Sequence, residues 1–299
     1  MSIISLKFDI KLILIFIYKM ISFENREGLD YLSTVEDGSV DLILTDPPYI
    51  ISRESGMEEF SKKVSSGIGK RTEEEWNEYY SKNKETIDNK EEDINVFRNN
   101  YLQYGSIYGK KYAVNTKFGD WDETFTLEKL EEFVREYYKK LRKGGTIIMF
   151  FDIWKMGRLR EIFERAGGYT RGGKPRGFSK IRLIEWEKTN PQPRNQRVTY
   201  LSNAKEYAIV GVKGSKATFN SKYDSGTYRY PFPGGKSRFH PTQKSLDLFV
   251  DLINKHSNPD DLVLDTFLGG GTTAKACAIT GRRFMGCEVC EEYYDKIKI

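Results

Sequence analysis

The chain has 299 residues, 38% of them hydrophobic and 14% aromatic, which excludes a disordered protein and leaves one large α/β domain or two smaller ones. Its formal charge of +5 is unevenly distributed, because residues 155–244 hold 20 Lys or Arg against 6 Asp or Glu. A basic segment on an acidic remainder favours a polyanionic partner, with a well-solvated surface as the alternative. Three cysteines and two histidines exclude a disulfide framework and a four-ligand zinc set. We therefore expect a reducing cytoplasm and no metal.

The first nineteen residues are apolar enough to suggest a membrane or signal segment. Their uninterrupted apolar part, Leu12 to Tyr18, is shorter than the roughly 20 residues of a bilayer span, and no small-residue cleavage pattern follows. We expect translation to begin at Met20, with residues 1–19 a dispensable or misassigned leader. Mass spectrometry of the native amino terminus tests this, and a protein that begins at Met1 would contradict it.

The next elements predict a parallel α/β sheet. A short strand near Ile21 to Phe23 precedes a helix near Arg26 to Thr34, and a run of branched aliphatic residues from Val40 then predicts a strand buried on both faces. A strand, a helix and a second strand at this spacing are typical of parallel sheets.

The second strand ends in the sequence Asp-Pro-Pro-Tyr, residues 46–49. Two prolines cannot extend a strand ladder, and their restricted φ presents the Asp46 and Tyr49 side chains and the local carbonyls in nearly fixed geometry. These groups can accept hydrogen bonds and stack on a ring. The pattern indicates a binding site, with a stiff turn as the alternative.

A polar insertion, residues 57–118, follows this motif. It has helical potential near Glu73 to Lys90 and no clear apolar stripe. Such segments are most often surface excursions, but one placed directly after a site can also be a lid or a ligand-contacting arm.

Regular structure resumes beyond the insertion, and the apolar periodicity predicts five further elements. They are a helix over 127–141, a buried strand over 146–152, a helix over 156–166, and a strand pair over 181–188 and 206–213. The segment over 213–238 is basic and weakly periodic, and we expect it to be loop-dominated.

The last sixty residues contain the clearest α/β unit. After an amphipathic helix from Leu246 to His256, a strand ends near Asp265, a glycine turn follows, and a second strand ends at Glu288. Glycines at a strand-to-helix turn let a ligand approach the backbone, and a carboxylate at the end of the next strand can bind ribose hydroxyls. The turn matches neither the dinucleotide nor the triphosphate fingerprint, so we expect a phosphate-free adenosine ligand, with a turn without ligand as the alternative.

The order of these motifs resembles the beta-group exocyclic-amino DNA methyltransferases. "DPPY", a basic middle segment, "HPTQKS" and "DTFLGGGTT" occur in that sequence over nearly everything from Met20 onward except the insertion. Related RNA and protein methyltransferases generally place the cofactor motif first. Thr266 and Ser245 stand where the family usually has proline, and both are conservative changes.

The resemblance implies S-adenosylmethionine as cofactor and double-stranded DNA as partner. It also implies roles for particular residues, by group. The catalytic residues are Asp46, Pro47, Pro48 and Tyr49. The cofactor-binding residues are Asp265, Phe267, Gly269, Gly271, Thr272, Glu288, His240, Thr242, Gln243 and Lys244. The target-base pocket is Trp186, Lys188, Asn190 and Pro191, with Trp186 alternatively plain core. The DNA-binding residues are Lys213, Lys216, Lys222, Arg229, Lys236 and Arg238.

The implied reaction is methyl transfer to the N6 amine of an adenine flipped out of the duplex. "DPPY" is commoner in adenine enzymes, whereas the N4-cytosine enzymes of the group often have Ser in place of Asp46. Cytosine 5-methylation is disfavoured, because no cysteine lies near Asp46. An N4-cytosine enzyme, an RNA methyltransferase and an inactive DNA-binding module are the alternatives. The sequence leaves open a cognate restriction endonuclease and a homodimer.

The expected fold is a single α/β catalytic domain with a doubly wound, mostly parallel sheet, Rossmann-like and circularly permuted in motif order. Within it we expect a catalytic part formed by residues 20–56 and 119–210, the insertion, a target-recognition region over 211–238 and a cofactor-binding part over 239–299.

Overall fold

The computed structural model describes residues 20–49, 70–90, 93–108, 125–191, 203–234, 238–240 and 242–299. The predicted leader and Lys236 lie outside these described residues. The chain divides into two compact units, one formed by residues 1–50 and 125–299 and the other by residues 51–124.

The larger unit is built on one eight-stranded sheet. In chain order its strands are β1 (Ile21–Asn25), β2 (Val40–Thr45), β3 (Leu141–Phe151), β4 (Ser179–Lys188), β5 (Lys205–Val212), β6 (Thr227–Tyr230), β7 (Leu262–Asp265) and β8 (Arg283–Glu288). Their order across the sheet is β1-β8-β7-β2-β3-β5-β4-β6. β5 runs antiparallel to both of its neighbours, β3 and β4, and the other adjacent pairs are parallel. The prediction of a mostly parallel sheet is confirmed.

Helices cover both faces of this sheet. In chain order they are α1 (Gly28–Leu32), α4 (Leu127–Lys140), a 3-10 turn (Ile153–Lys155), α5 (Met156–Arg165), α6 (Leu246–His256), α7 (Thr272–Thr280) and α8 (Glu291–Tyr294). The intervening helices, α2 (Glu73–Asp88) and α3 (Ile94–Tyr104), belong to the smaller unit. Along β2, Ile43 packs with α1, α4 and α5, whereas Leu42 and Leu44 pack with α6 and α7. Alternate residues of the strand therefore face opposite layers, which explains its continuous apolar run.

The predicted elements recur with small shifts, and the structure adds short elements that were not predicted, among them β6, the 3-10 turn and α8. β3 begins at Leu141 rather than at Thr146, directly after α4. The segment expected to be loop-dominated contains β6, which pairs in parallel with β4 and buries Tyr228. Four residues are too few to show a strand period, and their pairing depends on β4, which is distant in sequence.

The smaller unit contains two described helices, α2 (Glu73–Asp88) and α3 (Ile94–Tyr104). Trp76, Ile87, Phe97 and Ile107 form its buried cluster. The Trp76 ring lies 5.6 Å from that of Tyr80 in a stacked arrangement. Our expectation that this segment lacks an apolar stripe was wrong, because a few aromatic residues within a polar composition form its core. None of the described helices is long and apolar enough to cross a membrane.

Candidate active site

The parallel arrangement of β2, β3, β7 and β8 brings the predicted motifs to one edge of the sheet. β2, β3, β7 and β8 all end there, so the segment after Thr45 lies beside the ends of the strands that finish at Asp265 and Glu288. The Tyr49 ring packs edge-on against Phe151 at the end of β3, with ring centroids 5.8 Å apart. The carboxyl edge of a doubly wound sheet is where such folds bind their ligands.

Asp46 lies in a nearly enclosed setting at this edge. Its Oδ2 is 2.7 Å from the Nζ of Lys244, whose side chain is only 5% exposed. Its Oδ1 is buried and has no hydrogen-bond partner among the residues that the structure describes. One carboxylate oxygen is thus fixed by a lysine, and the other is available to accept a hydrogen bond.

A second carboxylate shares the same lysine. Glu206, near the start of β5, places Oε2 2.8 Å from Lys244 Nζ and Oε1 2.7 Å from Lys188 Nζ. Because β5 is antiparallel to β3, its first residues lie at the carboxyl edge of the sheet. Sequence reasoning missed Glu206; the available signal was a lone acid in a basic segment, directly before an apolar strand.

The charges in this cluster shift one another. Burial raises the pKa of the Asp46 carboxyl; Lys244 opposes this shift and the Glu206 charge adds to it. Burial disfavours the charged form of Lys244, yet the two carboxylates hold its pKa well above the usual value. Burial also opposes ionisation of Glu206, but Lys244 and Lys188 together lower its pKa. Asp46 is therefore the less compensated of the two carboxylates and the stronger proton acceptor.

The buried Asp265 side chain accepts hydrogen bonds from residues on both sides of the glycine turn. Its Oδ1 accepts hydrogen bonds from the Thr45 hydroxyl at 2.8 Å and the Phe267 amide at 3.0 Å, and its Oδ2 accepts one from the Thr273 hydroxyl at 2.6 Å. Burial outweighs these bonds and raises the pKa of Asp265 to about 6. This carboxylate is committed to internal donors, and direct contact with a ligand stays a prediction.

The segment containing "HPTQKS" lies on the glycine turn. A Cβ at Gly269 would lie 3.3 Å from Cε1 of His240, and one at Gly270 would lie 3.0 Å from Cγ of Gln243. Gly269 and Gly271 also have positive φ, which side-chain-bearing residues rarely adopt. The turn therefore needs glycine both for its backbone and for the close approach of this segment.

Two further polar groups surround the turn. Glu288 accepts from the Gly269 amide at 2.6 Å and from the Cys290 amide at 2.8 Å, while burial raises the pKa of its carboxyl. Gln243 Oε1 is buried and has no hydrogen-bond partner within the described part of the chain. Together they give the turn a carboxylate and an amide oxygen that can accept from a ligand.

The remaining predicted cofactor residues lie around the same turn. Burial lowers the pKa of His240 to about 4, so its ring is neutral near pH 7, and its Nδ1 is 3.2 Å from the Thr242 hydroxyl. The Phe267 ring packs on Phe133 at 4.7 Å, and Thr272 begins α7 in a buried position. The structure thus brings these residues together.

The predicted target-base residues lie at the end of β4. Trp186 is completely buried and donates from Nε1 to the Tyr230 carbonyl at 2.9 Å. It is therefore a core residue, which was the alternative to a place in the target-base pocket. Asn190 bonds both backbone groups of Phe232, and Lys188 lies 5.3 Å from that ring. Pro191 directly follows Asn190.

The predicted DNA-binding residues separate between the two edges of the sheet. Arg229 in β6 and Arg238 lie towards the carboxyl edge, where Arg238 stacks 4.4 Å from the Phe232 ring. Lys213 lies at the opposite edge: its amide bonds Gly145 at the start of β3, and its Nζ donates to the Leu141 carbonyl at 2.7 Å.

Lys216 and Lys222 lie at the same edge of the sheet as Lys213, opposite the carboxyl edge. The Lys216 backbone packs on Gly144, and the segment before Lys222 is tied through Asn220 to the carbonyls that follow α6. Since β5 reverses the chain direction, a basic segment that is continuous in sequence divides between two distant surfaces. The three lysines thus lie away from Asp46.

Comparison with protein-family models gives a match to a family described as DNA methylase, with the name N6_N4_Mtase, over residues 40–298. Among curated proteins the chain is similar to the Type II methyltransferase M2.MboI of Moraxella bovis, with 26% identity over 90% of this chain and 83% of that one. It is also similar to M2.DpnII of Streptococcus pneumoniae, with 29% identity over 60% of this chain and 70% of that one.

Two solved structures share the fold. The crystal structure of the M1.HpyAVI-SAM complex matches 93% of this chain and 97% of that chain with a TM-score of 0.55 and 23% identity. PvuII DNA methyltransferase, described as cytosine-N4-specific, matches 91% of this chain and 83% of that chain with a TM-score of 0.54 and 16% identity. At these identities the structural matches establish the architecture.

Proposed function

The chain belongs to the N6/N4 DNA methylase family, and we propose that it transfers a methyl group from S-adenosylmethionine to the N6 amine of an adenine flipped out of duplex DNA. The observation that carries this proposal is the Asp46 carboxylate, fixed through Oδ2 and open at Oδ1, at the same sheet edge as the glycine turn. A hydrogen-bond acceptor beside a cofactor turn is what amine methylation requires.

The residues around the turn fit this cofactor. Gln243 Oε1 is buried without a partner among described residues, which suits an ammonium donor, and Glu288 at the end of β8 suits ribose hydroxyls. Thr242, Thr272 and Phe267 complete the proposed cofactor site. When bound, S-adenosylmethionine supplies a methyl group on a sulfonium, whose carbon–sulfur bond breaks with its electron pair passing to sulfur.

The catalytic residues would act on the amine. The lone pair of an exocyclic amine is delocalised into the base, so an enzyme must favour the form in which the nitrogen is rehybridised and its protons are held. Asp46 Oδ1 and the Pro47 carbonyl are two acceptors for those two protons. As the nitrogen–carbon bond forms, positive charge grows on the nitrogen; the same acceptors stabilise it, and one proton leaves towards Asp46. No covalent intermediate with the protein is required.

DNA would approach the carboxyl edge of the sheet. Arg229 and Arg238 supply positive charge there, and Trp154, 90% exposed just beyond the end of β3, supplies a ring on which a base can stack. Tyr49 would stack on the flipped base, which leaves the duplex at an unstacking cost of a few kcal/mol. Lys188, Asn190 and Pro191 would line the other side of this base.

Adenine is preferred over cytosine as the target. Asp46 stands where N4-cytosine enzymes of the family often carry Ser. A cytosine N4 enzyme is the second candidate, favoured by the fold shared with the PvuII enzyme. We place duplex DNA, rather than RNA, as the substrate because of the family. The Type II description of the relatives supports a cognate restriction endonuclease as a partner.

Labelled methyl transfer by the purified protein tests this proposal. Duplex DNA and structured RNA compete for the label, and the expected result is label in DNA alone, with recovery of N6-methyladenine after digestion to nucleosides. Label in RNA would overturn the substrate, and N4-methylcytosine would transfer support to the second candidate.

A further inference from the structure

Four buried or half-buried charges alternate in sign at the active-site edge. Asp46 contacts Lys244, Lys244 contacts Glu206, and Glu206 contacts Lys188, with nitrogen–oxygen distances of 2.7, 2.8 and 2.7 Å. Their side chains are between 5% and 17% exposed. The four residues come from four separate segments of the chain, and the sum of their charges is zero.

We infer that Lys244 and Glu206 are positioning residues for Asp46: Lys244 fixes Oδ2 so that Oδ1 faces the substrate amine, and Glu206 fixes Lys244. This inference rests on the proposed catalytic role of Asp46. It also replaces the expectation that Lys244 contacts the methionine end of the cofactor.

The hydrogen-bond capacity of Lys244 supports this role. An ammonium group has three donors and no acceptor. The Nζ lies 2.7 Å from Asp46 Oδ2 and 2.8 Å from Glu206 Oε2, and its third neighbour is the Tyr49 hydroxyl at 3.5 Å. Its short polar contacts are therefore with the Asp-Pro-Pro-Tyr motif and β5.

The packing around Lys244 holds the ammonium in place. Nζ lies 5.4 Å from the ring centroids of both Tyr49 and Phe150, and 95% of the side chain is buried. An aromatic surround favours a cation and restricts its movement. Since Asp46 directly follows the six-residue strand β2 and precedes two prolines, a rigid partner on one carboxylate oxygen determines where the other oxygen points.

Glu206 accounts for the position of the ammonium. A lone lysine beside Asp46 would neutralise it, whereas a lysine shared with a second carboxylate leaves Asp46 only partly compensated. Lys188 in turn balances Glu206 from β4. Buried ion pairs are weak contributors to stability, so four charges at this edge are better explained by a requirement of the site.

A role in setting the charge of Asp46 predicts opposite effects for the two residues. The groups facing Asp46 are Lys244 from the segment before α6, Glu206 from β5, Tyr49 from its own segment and Asp265 from β7. Lys244→Met removes a positive charge, so Asp46 ionises at higher pH. Glu206→Gln removes a negative charge, so Asp46 ionises at lower pH.

The experiment is the pH profile of single-turnover methyl transfer to duplex DNA by both variants. The acidic limb is expected to move up by about 1–2 pH units in Lys244→Met and down by about 1 pH unit in Glu206→Gln. In Lys244→Met the maximal rate is expected to fall by about 100-fold, and Lys244→Arg should recover part of it. Equilibrium binding of S-adenosylmethionine should change less than about twofold, a second readout that does not depend on turnover.

The matched controls come from the same two strands. Lys205 and Glu185 form an exposed pair at 2.9 Å between β5 and β4. Lys205→Met and Glu185→Gln remove the same charges and should leave the profile unchanged. If Lys244→Met does not fold, as judged by circular dichroism, the isosteric Glu206→Gln variant still tests the inference.

Three outcomes would overturn the inference. The first is an acidic limb of the pH profile that is unshifted in both variants, and the second is a shift of that limb in the same direction in both. The third is loss of cofactor binding in Lys244→Met without a shift of the limb, which would assign Lys244 to the cofactor site. Failure of the proposed function is distinguishable, because it would appear as no methyl transfer to duplex DNA by the unsubstituted protein, or as retained transfer in Asp46→Ala, which removes both carboxylate oxygens. An inactive Asp46→Ala together with unshifted acidic limbs in the two variants would refute the positioning role alone.

Discussion

The Thr45 hydroxyl donates a 2.8 Å hydrogen bond to Asp265 Oδ1, and both side chains are buried. Thr45 is the last residue of the strand that precedes Asp46, and Asp265 is the last residue of the strand that precedes the glycine turn. This bond ties the proposed catalytic segment to the proposed cofactor segment across two neighbouring strands. It fixes their separation without itself taking part in chemistry.

Removing that hydroxyl should destabilise the protein. Thr45→Val keeps the shape but removes one of the donors to a buried carboxylate, so the free energy of unfolding should fall by about 1–3 kcal/mol. Denaturant unfolding followed by circular dichroism measures the change. Thr280→Val is the control, because its hydroxyl bonds only within its own helix; equal losses in the two variants would argue against a special role for the Thr45 bond.

Asp265 should also make stability depend on pH. Its folded pKa of about 6 lies above the usual 3.8, so the folded state binds the proton more tightly. The contribution of this group is therefore most favourable below pH 3.8 and is lost as pH rises from about 4 to about 6. In Asp265→Asn, that part of the slope should disappear, a difference of about 2–3 kcal/mol across the window. Parallel curves for the two proteins would contradict the assignment.

Two glycines at the ends of α7 provide a matched comparison. Gly271 has a φ of +76°, and a Cβ there would lie 2.7 Å from Cγ2 of Ile297; Gly281 has a φ of +68° with no atom within 4 Å of such a Cβ. Gly281→Ala should cost about 1–2 kcal/mol from backbone strain and leave cofactor binding intact.

Gly271→Ala adds a steric clash to the same strain, so it should be less stable than Gly281→Ala and should bind S-adenosylmethionine more weakly. Calorimetric titration and thermal unfolding measure both effects. Equal cofactor affinity in the two variants would separate the turn from the cofactor site.

The division of basic residues between two sheet edges makes a prediction about DNA. Arg229, 69% exposed near the carboxyl edge, should contribute to binding, whereas Lys216 at the other edge should not. Arg229→Ala should weaken affinity for duplexes of any sequence and lower the slope of log affinity against log salt by about 0.9. Lys216→Ala removes one equal charge and should leave both quantities unchanged; the reverse result would move DNA to the opposite edge.

Sequence patterns predicted what depends on local periodicity and short motifs. The strand ends at Thr45, Asp265 and Glu288 follow from apolar runs that stop at prolines, glycines or acids, and their meeting at one edge follows from parallel strands. Helix α6 was predicted from Leu246 to His256, the bounds that the structure has.

What depends on tertiary pairing was not predicted. The antiparallel direction of β5 decides that Glu206 reaches Lys244 beside Asp46 and that Lys213 lies at the far edge, and no local pattern encodes that direction. The ion pairs of Lys244 with Asp46 and Glu206 were likewise not predicted, because a family motif indicates which residues matter but does not state what each side chain contacts in this chain.

The most direct test of the account is the modified base in DNA from cells that express the protein, mapped by single-molecule sequencing. The Asp46→Ala variant, which lacks the acceptor oxygens, and the empty host are the controls. We predict N6-methyladenine confined to one short sequence motif and absent from both controls. Unmodified DNA from cells containing folded protein that binds S-adenosylmethionine, or equal methylation by Asp46→Ala, would contradict this prediction.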